Sequence, residues 1–98
     1  MNLQNIILEL EKVKHPKINC SLVKLGIVND IRLIDNKILV TFAFPYANTS
    51  IANDVEILIE HKVRSLGFGF AHKTRMMNEV EKARFTQIEI ESWKEKEE

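Results

Sequence analysis

Cysteine is nearly absent from this chain: Cys20 is the only one in 98 residues, which rules out an internal disulfide and fits a reducing compartment. Proline is confined to Pro16 and Pro45 and glycine to Gly26, Gly67 and Gly69, so long stretches carry nothing that breaks regular structure. An excess of either charge is missing as well. Fourteen basic and fourteen acidic side chains cancel, which removes any global field for nucleic acid or an anionic membrane. No apolar run approaches the ~18 residues of a membrane span, and residues 1–14 lack the basic start and small-residue cleavage site of a signal peptide. There is no Gly-x-x-x-x-Gly-Lys phosphate loop, no Gly-x-Ser-x-Gly elbow, and no histidine beside a nucleophile and an acid at recognisable spacing. The expectation is a cytoplasmic protein that is not an enzyme, binds no cofactor and has no membrane partner.

What is present is a chain 45% hydrophobic and 29% charged, enough for one globular domain over residues 1–98 with a core of modest size, so that dimerisation would be unsurprising. Leu3, Ile6, Ile7, Leu10 and Val13 share a helical face, and Pro16 stops that helix. Ile27, Ile31 and Leu33 alternate with Asp30 and Arg32; Asp35-Asn36 supplies a turn, and residues 38–44 return as a second strand, giving a hairpin. Ile51, Val55, Leu58, Ile59, Val63 and Leu66 then recur at helical spacing, with Asn48, Thr49 or Ser50 able to cap and Asp54 expected in the first turn. Residues 67–71 read as a short third strand or a loop. Asn78 and Glu81 resemble a capping box, so a closing helix can run through Val80, Ala83 and Ile88 toward Trp93, against a rival strand pattern at Thr86, Ile88 and Ile90. The fold class expected is α+β, a two-layer sandwich in the order helix, strand, strand, helix, short strand, helix, with a small mixed sheet and a charged end at residues 94–98 that frays.

The turn Phe44-Pro45-Tyr46-Ala47-Asn48-Thr49 delivers a strand onto the start of a helix. A helix N-terminus offers unpaired N–H groups and a positive dipole end, so a cysteine there would have a lowered pKa, but this chain has Ala47. His15-Pro16, the run from Leu22 to Val28 with Leu25 and Gly26, then Thr41 and Pro45, form a recognisable order. The chain resembles, over about residues 3–66, the SUF-associated iron-sulfur cluster assembly family, also called PaaD-like, which occurs as a free domain and at the N-terminus of Mrp-type P-loop ATPases. His15, Pro16, Leu25, Gly26, Val28, Thr41 and Pro45 match its pattern. Lys17, Lys24 and Tyr46-Ala47-Asn48 depart from it, the last replacing a Gly-Cys-Pro that carries the family's reactive cysteine. The resemblance implies an accessory or adaptor role in cluster assembly, with assembly or target proteins as partners, docked through Pro45, Tyr46, Ala47, Asn48, Thr49 and Ser50, and without a cluster held at position 47.

Other residues have competing readings. Cys20 is a redox thiol or a small buried hydrophobe, with burial favoured. His15, His61 and His72 show no metal-ligand spacing, with His15 expected to pack beside Pro16 and His61 to face solvent. Gly67-Phe68-Gly69-Phe70 resembles the aromatic strand of an RNA-recognition motif, with His72, Lys73 and Arg75 as a basic cluster. The simpler account is two inward phenylalanines and a solvated basic loop, so nucleic acid is the runner-up partner and a homodimeric interaction domain the third. Met76, Met77 and Trp93 either extend the core or face a partner.

Overall fold

The computed structural model describes residues 2–45 and 49–92. It contains, in order, α1 (Leu3–Leu10), β1 (Val28–Ile34), β2 (Lys37–Phe44), α2 (Thr49–Ser65), β3 (Gly69–Met76) and α3 (Glu79–Ser92). The sheet order is β1-β2-β3, with β1 antiparallel and β3 parallel to β2. This is the α+β fold with a mixed sheet that the hydrophobic pattern predicts. Among the described residues no helix is long and apolar enough to cross a membrane.

Asn2 caps α1, its side chain accepting from the Asn5 N–H at 2.9 Å. The helix ends at Leu10, sooner than the apolar spacing through Val13 suggests. Lys12 N–H and Val13 N–H donate to the Glu9 and Leu10 carbonyls at 3.2 and 3.1 Å, so the last turn tightens to three-residue closures and releases the chain before Pro16 acts. Val13 still packs against the core. Two residues later the chain folds back on itself: Lys14 bridges Ser21, His15 N–H donates to the Cys20 carbonyl at 3.1 Å, and Leu22 N–H donates to the Val13 carbonyl at 3.0 Å.

The Leu22 to Val28 run is a turn feeding β1. Leu22, Leu25 and Ile27 are fully buried, and Gly26 sits at φ +85°, a left-handed conformation that a side chain resists. A bulge then falls between Val28 and Asp30: Val28 pairs with Phe42 and Asp30 with Thr41, leaving Asn29 as the extra residue. The slip lets Val28 and Ile31, which a regular strand would point in opposite directions, both turn toward the core. At the hairpin, Asp35 takes φ 56° between Ile34 and Lys37.

Ile38, Val40 and Phe42 alternate along β2 and are fully buried on the face covered by α1 and α2. Val55, Ile59 and Val63 of α2 belong to the same core; Leu58, at the margin of that stripe, stays 39% exposed. Because α2 begins at Thr49, Asp54 lies past the first turn, one turn later than its expected place near the helix dipole. Gly67 closes α2 at φ +93°, a position that favours glycine at a helix end. For that reason the third strand starts at Gly69 and extends for eight residues to Met76, beyond the short 67–71 segment foreseen.

The capping box is complete. Glu81 N–H donates to Asn78 Oδ1 at 2.8 Å and Asn78 N–H to Glu81 Oε1 at 2.9 Å, and α3 continues to Ser92, which settles the helix-or-strand ambiguity at Thr86 in favour of helix. Its end is tied to the segment after α1, where Asn19 N–H donates to the Ser92 carbonyl at 2.7 Å, and its start to the β1 bulge, where Asn29 Nδ2 donates to Glu81 at 3.2 Å. Met77 is buried and Met76 exposed, so only the first is core. Trp93 and residues 94–98 lie outside the described residues.

Candidate functional site

His15 is 5% exposed. Its backbone is tied to Cys20, and its Nδ1 accepts the Lys17 N–H at 2.9 Å, so the ring arranges the tight turn around Pro16 as an acceptor on that nitrogen. Opposite this turn runs α2. Lys14, His15 and Pro16 from the turn and Asp54, Ile57 and Leu58 from the helix line a shallow, open hollow of ≈ 470 Å³. Next to it Ile57, Glu60, His61, Arg64 and Ser65 line a second, of ≈ 480 Å³. Ile57 belongs to both and is 61% exposed, a branched apolar ridge between two hollows. An ion pair of 2.9 Å between Arg64 Nε and Glu60 Oε2 borders the second. Ser50 is exposed one turn before Asp54, on the same side of α2.

Of the turn residues singled out from sequence, Pro45 is buried at the end of β2 and Ser50 is exposed on α2. Tyr46, Ala47 and Asn48, and the side chain of Thr49, lie outside the described residues. The other family-motif residues fall in separate places. Leu25, Gly26 and Val28 build the turn into β1, Thr41 is half-buried on β2, and only His15 and Pro16 face the hollow. Sequence reasoning missed Ile57. The available signal was its place off the Val55–Ile59–Val63 stripe, where a helix ordinarily turns polar.

The runner-up constellation does not assemble. His72, Lys73 and Arg75 are on β3 and not in a loop, and strand alternation sends them to opposite faces. His72 stacks on Phe70 (centroids 5.5 Å, interplanar 23°) and meets Phe42 edge-on at 5.7 Å, with its Nε2 3.7 Å from Glu56 Oε1. Lys73 pairs across with Thr41. Arg75 donates to both carboxylate oxygens of Glu81, at 2.9 and 2.8 Å, and from Nη2 to Asn29 Oδ1 at 3.0 Å. Phe68 and Phe70 are half-buried and pack against the core, as inward-facing rings would.

Cys20 is buried, 9% exposed, and His61 is exposed on α2. Among the described residues no group of three or more His, Cys, Asp or Glu side chains lies together as a metal site.

The chain has no match among curated proteins. Residues 3–70, from α1 into the start of β3, match the family described as iron-sulfur cluster assembly protein. The span takes in the His15-Pro16 turn, the Leu25-Gly26 turn and the whole of α2 that faces them. The chain belongs to the iron-sulfur cluster assembly protein family.

Proposed function

We propose that this protein is a SUF-type, PaaD-like accessory of the cytoplasm that works as an adaptor: it docks another protein of cluster assembly or maturation, catalyses no reaction itself, and passes no cluster through position 47. The observation that carries this reading is the exposed pair Ile57 and Leu58 set across a hollow from His15-Pro16. Apolar side chains held on a rigid helix beside a fixed turn suit insertion of a partner side chain, with Lys14 and Asp54 at the rim to orient it. Ser50 is exposed at the start of the same helix, one turn before Asp54. Ala47 stands where the family pattern carries its cysteine, and a methyl group offers neither a thiolate ligand nor a nucleophile.

Affinity capture with the tagged chain, followed by identification of what is bound, tests this. Recovery of iron-sulfur assembly or target proteins, reduced at least about tenfold by Ile57→Asp with the circular dichroism spectrum unchanged, is the expected result. Recovery of ribonucleoproteins instead, or of the same partners undiminished by Ile57→Asp, would remove the reading.

A further inference from the structure

α3 carries apolar side chains on two opposed faces, and its own domain covers only one. Phe85 is buried and Ile88 packs against the core. Val80, Ala83, Gln87 and Ile90 are all exposed, Val80 at 77% and Ile90 at 62%. Successive members of this set are three, four and three residues apart, the repeat of the a and d positions of a two-helix seam. Single exposed aliphatic residues are ordinary; four positions in heptad phase on one helix are a continuous stripe.

The charges beside the stripe give it a partner. In that phase Glu79 is a g position and Arg84 the e position five residues on, and neither takes part in an ion pair among the described residues. When two copies of α3 run parallel about a two-fold axis, Glu79 of each faces Arg84 of the other, the g-to-e pairing that selects partners in coiled coils. An antiparallel seam in the same register brings Arg84 against Arg84. Gln87 in the middle is a polar a position whose Nε2 donates to Glu91 Oε2 at 2.8 Å one turn on. The capping box and the Arg75–Glu81 pair hold the start of α3 in place, so little order has to be gained on association. We infer that the outer face of α3 is a self-association surface, occupied by α3 of a second copy in a parallel two-helix seam. A helix of 14 residues is about 21 Å long, so the interface is at the small end of specific contacts and the dimer is weak and concentration-dependent.

Sedimentation of the full chain over a concentration series, with the variants Val80→Glu, Ile90→Glu, Arg84→Glu and the double variant Glu79→Arg/Arg84→Glu, tests this apart from any assembly partner. The expected result is a monomer–dimer equilibrium that Val80→Glu or Ile90→Glu each weakens at least about tenfold with the circular dichroism spectrum unchanged. Arg84→Glu weakens it too, and the double variant recovers it. A chain that stays monomeric at about 1 mM, or a dimer indifferent to Val80→Glu and Ile90→Glu, would overturn the inference; a double variant that fails to recover would overturn the parallel arrangement.

Discussion

The guanidinium of Arg75 near the end of β3 grips the carboxylate of Glu81 in the first turn of α3 through two hydrogen bonds of 2.9 and 2.8 Å. This fork-to-fork pair fixes the angle at which α3 leaves the sheet. The same carboxylate closes the capping box with Asn78 and takes a hydrogen bond from the bulge residue Asn29, so three separate segments converge on one side chain.

Acid should release this junction. Hydrogen bonding from Arg75, then from the Asn78 backbone, lowers the Glu81 pKa from its ordinary 4.5 to about 2. A carboxylate depressed in the folded state contributes stability that is complete above the unfolded pKa and is lost as pH falls through the folded one. The stability difference between wild type and Glu81→Gln should therefore be constant near neutrality and shrink between about pH 4.5 and about pH 2. Urea unfolding across that range measures it; a difference that stays constant down to pH 2 would show that Glu81 is not held this way.

Phe68→Ala should act on stability and leave RNA affinity alone. Fully buried Phe42 is expected to cost about 3–5 kcal/mol on truncation, and half-buried Phe68 roughly half of that. Denaturant unfolding beside titration with single-stranded RNA reads both effects. Unchanged stability with a salt-sensitive loss of RNA binding would restore the nucleic-acid reading.

Gly26→Ala should be destabilising although there is room for the added methyl, whose nearest foreign neighbour is Met77 Cε at 3.9 Å. The cost comes from φ +85° and is about 1–2 kcal/mol. Gly69→Ala, at a position without a positive φ and with its nearest foreign atom at 3.6 Å, is the control and should cost less.

Anaerobic reconstitution with iron and sulfide should leave the purified chain without a stoichiometric cluster, because a cluster of this type takes four ligands and the single thiol, Cys20, is buried. Visible absorption at full occupancy that survives Cys20→Ser would contradict this.

The elements could be read from the sequence where burial is periodic: the α2 stripe, the β2 alternation and the Asn78–Glu81 box each depend on neighbours a few residues away. Legibility fails where a distant partner decides. The bulge at Asn29 exists because Val28 and Ile31 both belong to one core, a fact about β2 and not about β1. The length of β3 is set by its register on β2 from Lys37 to Phe44, which overrides the poor strand character of a glycine-flanked, basic segment. At the site, His15-Pro16 was visible as a motif, but the helix face it looks at was not, since Ile57 is legible only as an isoleucine on the wrong side of an amphipathic pattern. Arg75 looked like an exposed cation until Glu81 was brought to it.

The parallel pairing of β3 with β2 governs the order in which the chain can be made. β1 and β2 join through a two-residue turn, so that hairpin can close as soon as it leaves the ribosome, whereas β3 must wait for all of α2 before its register partners are within reach. Until then the N–H and C=O groups along one edge of β2 are unpaired, on a strand whose inner face carries the apolar Ile38, Val40 and Phe42. A nascent chain, or a fragment cut at residue 70 where the family match stops, presents that edge as a template for strands of other molecules, and aggregation then competes with completion of the sheet.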